Sequence, residues 1–170
     1  MTEPGDPSSD LNDGDFSRSS GAAAIGARLR RLSERIDRDA ARLYRESGEV
    51  FEQRWYGTVQ LLAQRAPLSV GDLAAALGVS HASVSQIRAG LAKAGLVAWD
   101  VDRKNARLRR LSLTSKGHAL VLRLTPLWEA LNAASIELNA EVDDVVAAID
   151  RLDGAMARTS LYERVKAKLG

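Results

Sequence analysis

The sequence predicts a mainly α-helical protein that carries one small β-hairpin. Three observations predict it. Apolar residues recur at intervals of three and four through Ile25, Leu29, Leu32, Ile36, Ala40 and Leu43, and at helical spacing through Leu120, Leu124, Leu127, Leu131 and Leu138. Between these stretches Ser69, Gly78, Ser80 and Gly95 punctuate two short helical segments, as caps and turn residues do. Directly afterwards Val97, Trp99 and Val101 alternate at the period of a strand, and Leu111 and Leu113 do the same beyond a polar turn.

Composition narrows the functional classes. A chain of 170 residues with 45% hydrophobic content can bury a real core. Cysteine is absent, which excludes disulfides, thiolate nucleophiles, cysteine zinc sites and thiol redox sensing. The two histidines stand far apart in sequence, so neither a metal nor a cofactor is expected. No apolar run approaches the roughly 18 residues that span a bilayer. With no signal pattern at the N-terminus, the expected location is the cytoplasm, away from membranes. There is no glycine-rich coenzyme loop, no Ser/His/Asp arrangement and no paired carboxylates in a plausible pocket, so no enzyme is expected. Asp143 and Asp144 open a helix, where acids offset the dipole.

Charge is more informative by segment than in total. The net charge is +2, but residues 80–116 hold eight bases against two acids, a net +6. A localised basic patch is what a polyanion partner requires, although a solvated basic surface has the same composition. Residues 1–20, MTEPGDPSSDLNDGDFSRSS, carry five acids against Arg18 alone. Their Pro, Gly, Ser and Asp cannot bury enough surface to offset ordering, which predicts a disordered acidic tail.

The elements follow in order. A long amphipathic helix starts near Ile25 and ends near Gly48. A second places Phe51, Trp55, Val59 and Leu62 on one side and is stopped by Pro67. Ser69 is placed to cap a short helix whose buried side is Leu73, Ala74 and Leu77, and Gly78 ends it. Ser80 can cap the next, which stops at Gly95. Helix, glycine turn and second capped helix make a helix-turn-helix. Ala74 serves the close crossing, and Val79, Val84 and Ile87 fill the wedge. The hairpin that follows turns at 102–106 with Arg103 and Lys104 at its tip, and Arg107, Arg109 and Arg110 return along it. Such a ribbon beside the second helix is a wing able to reach phosphates or the minor groove. After Thr114, a cap, comes a long helix with Pro126 expected to kink it.

The second helix of the pair has an unusual outer face. Val84, Ile87 and Leu91 form its buried stripe, while Ala82, Ser85, Gln86, Ala89 and Lys93 point away, with no acid and nothing bulky. A helix entering the major groove of DNA requires such a face. Small Ala82, Ser85 and Ala89 permit close approach, Gln86 can pair with adenine, and Ser85 can donate or accept. His81 and Arg88 stand on its flank for a phosphate or groove-edge contact, and Ser83 completes the candidate set. A plain helix-start role for His81 and ordinary helical serines at Ser83 and Ser85 are the alternatives.

The stretches LGVSHASVSQIRAGLAKAGLV and DVDRKNARLRRLSLTSKG, with long helices on both sides, resemble the MarR (multiple antibiotic resistance regulator) family of winged-helix transcription factors over residues 25–165. The family's Asp-x-Arg-x-x-Arg wing pattern stands here as Asp102, Lys104 and Arg107 before LTSKG at 113–117. Lysine in place of arginine keeps the charge and removes the bidentate fork. The closing SLYERV at 160–165 also looks like the regulator half of MarR–acetyltransferase fusions, here without the acetyltransferase.

The resemblance implies a homodimer that binds palindromic double-stranded DNA, with a repressor's response to a small aromatic effector. Independently, the first helix, the long helix after Thr114 and the last, with Val142, Val145, Val146, Ile149, Leu152 and Met156, offer more apolar surface than one small DNA-binding unit can cover, which marks an interface unless a monomeric bundle absorbs it. The expected division is a tail at 1–20, a DNA-binding domain at 49–114 and a dimerisation region at 21–48 and 115–170. Tyr44, Trp55, Tyr56 and Trp128 are candidates to line the effector cleft, against the commoner role of such aromatics as core. A winged helix used for protein contact or RNA, or a regulatory half related to an acetyltransferase, is the alternative class.

Overall fold

The computed structural model describes residues 16–101 and 109–170. They fall into two compact units, one ending at Ser112 and the other running from Leu113 to Gly170.

The first unit opens with a single helical turn, α1 (Phe16–Ser19). Composition assigns these residues to the acidic tail. The turn forms because the hydroxyls of Ser19 and Ser20 donate to the Phe16 carbonyl at 2.9 and 2.8 Å. A 3-10 turn (Gly21–Ala24) leads into α2 (Ile25–Glu46), which ends at Gly48 with φ +76°. Only the end of its apolar stripe finds a core. Ala40 and Tyr44 are buried, whereas Ile25, Leu29, Leu32 and Ile36 remain 42–51% exposed.

Beyond Gly48 the chain doubles back so that Phe51 meets Tyr44 edge-on, with ring centroids 4.9 Å apart. Phe51 in turn meets Trp55 at 5.7 Å. The Tyr44 hydroxyl donates to Gln53 Oε1 at 2.7 Å, which satisfies it inside the cluster. Trp55 closes a 3-10 turn (Gln53–Trp55), and α3 (Tyr56–Arg65) buries Thr58, Val59 and Leu62.

β1 (Leu68–Ser69) and α4 (Val70–Leu77) share Ser69. Its hydroxyl accepts the Asp72 N–H at 3.1 Å while its own N–H donates to Asp72 Oδ2 at 2.9 Å, a reciprocal capping box. The strand is too short for alternation to reveal it, so the sheet has three strands where the sequence predicts two. Their order is β1-β3-β2, with β2 at Val97–Val101 and β3 at Arg109–Leu113. β1 runs antiparallel to β3, pairing Leu68 with Leu111 and Ser69 with Arg110. Gly78 takes φ +65° at the end of α4, and the helix α5 (His81–Lys93) follows.

One packing expectation changes. Ala74 is buried as the crossing of α4 and α5 requires, and α3 approaches α4 at Gly57, where a Cβ would lie 2.8 Å from Leu77 Cδ2. Val79 does not enter the wedge. Its N–H is tied to the Ala74 carbonyl in the turn, and its side chain is exposed.

In the second unit Thr114 caps α6 (Ser115–Glu141) by accepting the Gly117 N–H at 3.0 Å. Leu120, Leu124 and Trp128 are buried in its first half; Pro126 lies inside the helix. Asp144, at φ +64°, caps α7 (Val145–Arg158). Asn139 holds that turn, donating to Asp144 Oδ1 and accepting the Val146 N–H, both at 3.0 Å. A further helix, α8 (Leu161–Leu169), starts at a second capping box between Ser160 and Glu163. Neither α7 nor α8 buries a residue. No helix among the described residues is long and apolar enough to cross a membrane.

The bonds from Ser69, with a smaller contribution from the nearby Arg110, hold the Asp72 carboxyl below the usual carboxylate range. Its stabilisation is therefore complete above the unfolded value of about 3.9 and is lost as pH falls through the folded value. Urea midpoints for the parent and Asp72→Asn should differ by a constant amount near neutrality and converge below about pH 4. Ser69→Ala should cost about 1 kcal/mol at neutral pH in the same titration.

Candidate nucleic-acid interface

The site is built on α5. Ser80, in extended conformation, accepts the Ser83 N–H at 3.1 Å, satisfying one of the first-turn donors. The hydroxyls of Ser80 and Ser83 also share a bond of 2.9 Å. Ser83 is thus engaged in closing the helix start. Val84 and Leu91 are fully buried and Ile87 is half-buried, which fixes the inner face. Ala82, Gln86, Ala89 and Lys93 are exposed and Ser85 is half-buried. No acid lies on the helix, so the outer face is small, polar and without negative charge.

His81 is the first residue of α5 and is exposed, its ring near Gly71 of α4. Arg88 places its guanidinium over the Trp99 ring of β2, 4.9 Å from the centroid. This is a cation–π contact across the junction of helix and hairpin. It leaves the Arg88 charge on the flank and defines where it lies.

The hairpin differs in detail from its alternation. Val97 is buried, but Trp99 and Val101 are exposed; the opposing Leu111 and Leu113 are buried. Arg109 is exposed, whereas Arg110 turns inward to donate to the Pro67 carbonyl and to Asp72 Oδ2, each at 3.3 Å. Arg110 therefore ties β3 to the start of α4 and does not add to the free charge of the wing. Arg103, Lys104 and Arg107 lie outside the described residues.

Of the four aromatics considered for an effector cleft, three are buried. Tyr44 and Trp55 are buried in the cluster with Phe51, Tyr56 is half-buried, and Trp128 is buried in the second unit. A cavity of about 350 Å³ occurs elsewhere, along the start of α2, lined by Arg18, Arg28, Arg31, Arg35, Ile25, Leu29 and Leu32. Among the described residues no group of three or more His, Asp or Glu is placed to hold a metal ion.

Sequence reasoning missed two contributors. Trp99 was visible only as one member of an alternating strand, with nothing to indicate its partner. Gly90 was the readable signal, since glycine inside a helix costs about 1 kcal/mol relative to alanine and so implies a close neighbour. That neighbour is Trp55.

Capped helix pair, small acid-free outer face and adjoining three-stranded hairpin sheet together define a winged helix-turn-helix protein. Residues 52–107, about a third of the chain, match the model of the MarR family. Among solved structures, the transcriptional regulator MOSR of M. tuberculosis, in complex with DNA, is 26% identical at a TM-score of 0.66, over 81% of this chain and 98% of that one. The MepR–DNA complex of S. aureus gives 20% identity and a TM-score of 0.63 over 75% and 94% of the two chains. BpsR of Bordetella bronchiseptica, whose DNA binding is regulated by 6-hydroxynicotinic acid, gives 20% and 0.58 over 77% and 91%. No curated protein sequence matches the chain.

The Arg88–Trp99 contact should appear as coupling in a double-mutant cycle. Arg88→Ala, Trp99→Ala and the pair, unfolded in urea, should show an interaction of about 0.5–1 kcal/mol. Arg88→Lys should lose part of it, because an ammonium lacks the stacked plane.

Proposed function

We propose that this chain is a MarR-family regulator that represses transcription by reading a palindromic operator in double-stranded DNA as a homodimer, and that a small aromatic effector releases it. The observation that carries the reading is the outer face of α5, small and free of acids on a helix capped at Ser80 and anchored by Val84 and Leu91. The major groove admits a helix and presents a distinct donor and acceptor pattern for each base pair. In this reading Gln86 pairs with a base edge and Ser85 adds a second polar contact. His81, Ser83 and Arg88 approach the backbone near the helix start and flank. Arg103, Lys104 and Arg107 on the wing meet phosphates, consistent with the net +6 of residues 80–116. The DNA complexes of MOSR and MepR support the choice of partner.

Residues 21–48 and 115–170 form the dimerisation region in this proposal. Its support is the apolar surface that neither unit covers: Ile25, Leu29, Leu32 and Ile36 on α2, and Ile136, Val146 and Ile149 among others near the C-terminus. The regulation of BpsR by 6-hydroxynicotinic acid supports an aromatic effector. Recognition in the cytoplasm, without catalysis, is the whole of the proposed chemistry.

Selection from a random duplex pool should return a two-fold palindrome with half-sites about 10 base pairs apart. Light scattering at micromolar concentration should give twice the chain mass. On the selected site Gln86→Ala should cost about 1–3 kcal/mol and much less on random DNA. Lys104→Ala should weaken both DNAs alike and reduce the salt slope by about one unit. Binding that ignores salt, or a Gln86→Ala loss equal on both DNAs, contradicts the proposal.

A further inference from the structure

Two tryptophans hold α5 from opposite flanks. At about 100° per residue, Arg88 and Gly90 stand roughly 160° apart around the helix. The buried Val84 and Leu91 lie between them on one side, and Ala82, Ala89 and Lys93 on the other. On the Arg88 flank the guanidinium rests on Trp99. On the Gly90 flank the helix backbone rests on Trp55. A Cβ at Gly90 would fall 3.0 Å from Trp55 Cζ2, 3.2 Å from Nε1 and 3.3 Å from Cε2.

Trp55 cannot easily give way. It is 4% exposed, and its other edge meets Phe51, which is braced on Tyr44. Its indole N–H is buried with no hydrogen-bond partner among the described residues. A buried donor without a partner is unfavourable, so no hydrogen bond accounts for an indole here. Its shape against Gly90 does.

We propose that Trp55 is a positioning residue for base reading. By crowding any Cβ at position 90, it sets the depth and rotation at which α5 is held, while Trp99 fixes the opposite flank through Arg88. Gln86 lies next to Gly90 around the helix, so a displacement of this flank reaches the proposed base contact directly. Contacts of this kind tolerate about 0.5 Å of error. The inference rests on the DNA-reading role of α5.

The test is a cycle of the full chain, Gly90→Ala, Trp55→Leu and the double variant. Leucine lacks all three of the Trp55 atoms that oppose a Cβ at position 90. Each protein is titrated against the selected operator and random duplex, and each is melted. Gly90→Ala should lower operator affinity about tenfold and random-duplex affinity less than about twofold. In the Trp55→Leu background the same substitution should cost less than about twofold on the operator. A merely structural role would move the melt and leave the operator-to-random ratio alone. Equal loss on both DNAs, or the same operator loss in both backgrounds, overturns the proposal. If Gly90→Ala does not fold, a cooperative melt regained in the double variant supports the steric grip, and its absence overturns it. A parent chain that does not discriminate the two DNAs overturns the DNA reading instead, and the melting cycle then judges the grip alone.

Discussion

Ser69 is the point on which the geometry of the winged unit depends. Its backbone belongs to β1 and pairs with Arg110 on β3, while its side chain caps α4 through Asp72. Arg110 then reaches back to the same carboxylate and to the Pro67 carbonyl. Sheet and helix are therefore locked to each other within four residues. The direction of α4 is set there, and α5 inherits it through a turn of three residues whose glycine adopts a left-handed conformation. An exposed ion pair between Asp72 and Arg110 would by itself contribute little. Its importance lies in joining two elements that the capping box has already ordered.

The same economy explains why glycines matter at the helix crossings. Gly57 lets α3 approach Leu77 on α4, and Gly90 lets α5 approach Trp55. A helix-interior glycine weakens its own helix, and at both positions a methyl group would crowd the neighbour. α5 is consequently held by its backbone on one flank and by Arg88 on the other, and its outward residues are free of structural duty. That freedom is what allows a face made of Ala82, Gln86, Ala89 and Lys93.

Much of the architecture was legible in the sequence because it rests on local chemistry. The caps at Ser69, Ser80 and Thr114 and the stops at Gly48, Gly78 and Gly95 are each a residue type meeting a local backbone demand. The inner stripe of α5 followed from period alone. What the sequence concealed depends on distant partners. β1 is two residues long and exists only because β3 lies beside it. Arg110 reads as one more wing base until its position opposite Ser69 turns it toward Asp72. Trp99 gives no sign of Arg88, and Val79 looks like core until the turn directs its side chain outward. The aromatics Tyr44 and Trp55 carry no signal that separates a cleft wall from a core, and the structure gives them the core.

α2 shows how one periodic stripe can answer two requirements. Its apolar residues continue in phase from Ile25 to Tyr44, yet burial begins only at Ala40. Helical period specifies which face is apolar but not what covers it. At the C-terminal end Phe51 folds back to cover Tyr44, and the stripe becomes core. Over the preceding turns nothing among the described residues of the first unit does so, and arginines share this segment with the apolar residues. An apolar stripe left exposed on a helix that is firmly rooted at its other end can present that surface without unfolding. Rooting through Tyr44 and Phe51 also connects it to Trp55, and through Trp55 to Gly90 on α5. The surface proposed for pairing and the helix proposed for reading are thus joined by a continuous series of packed rings, the physical requirement for either to affect the other.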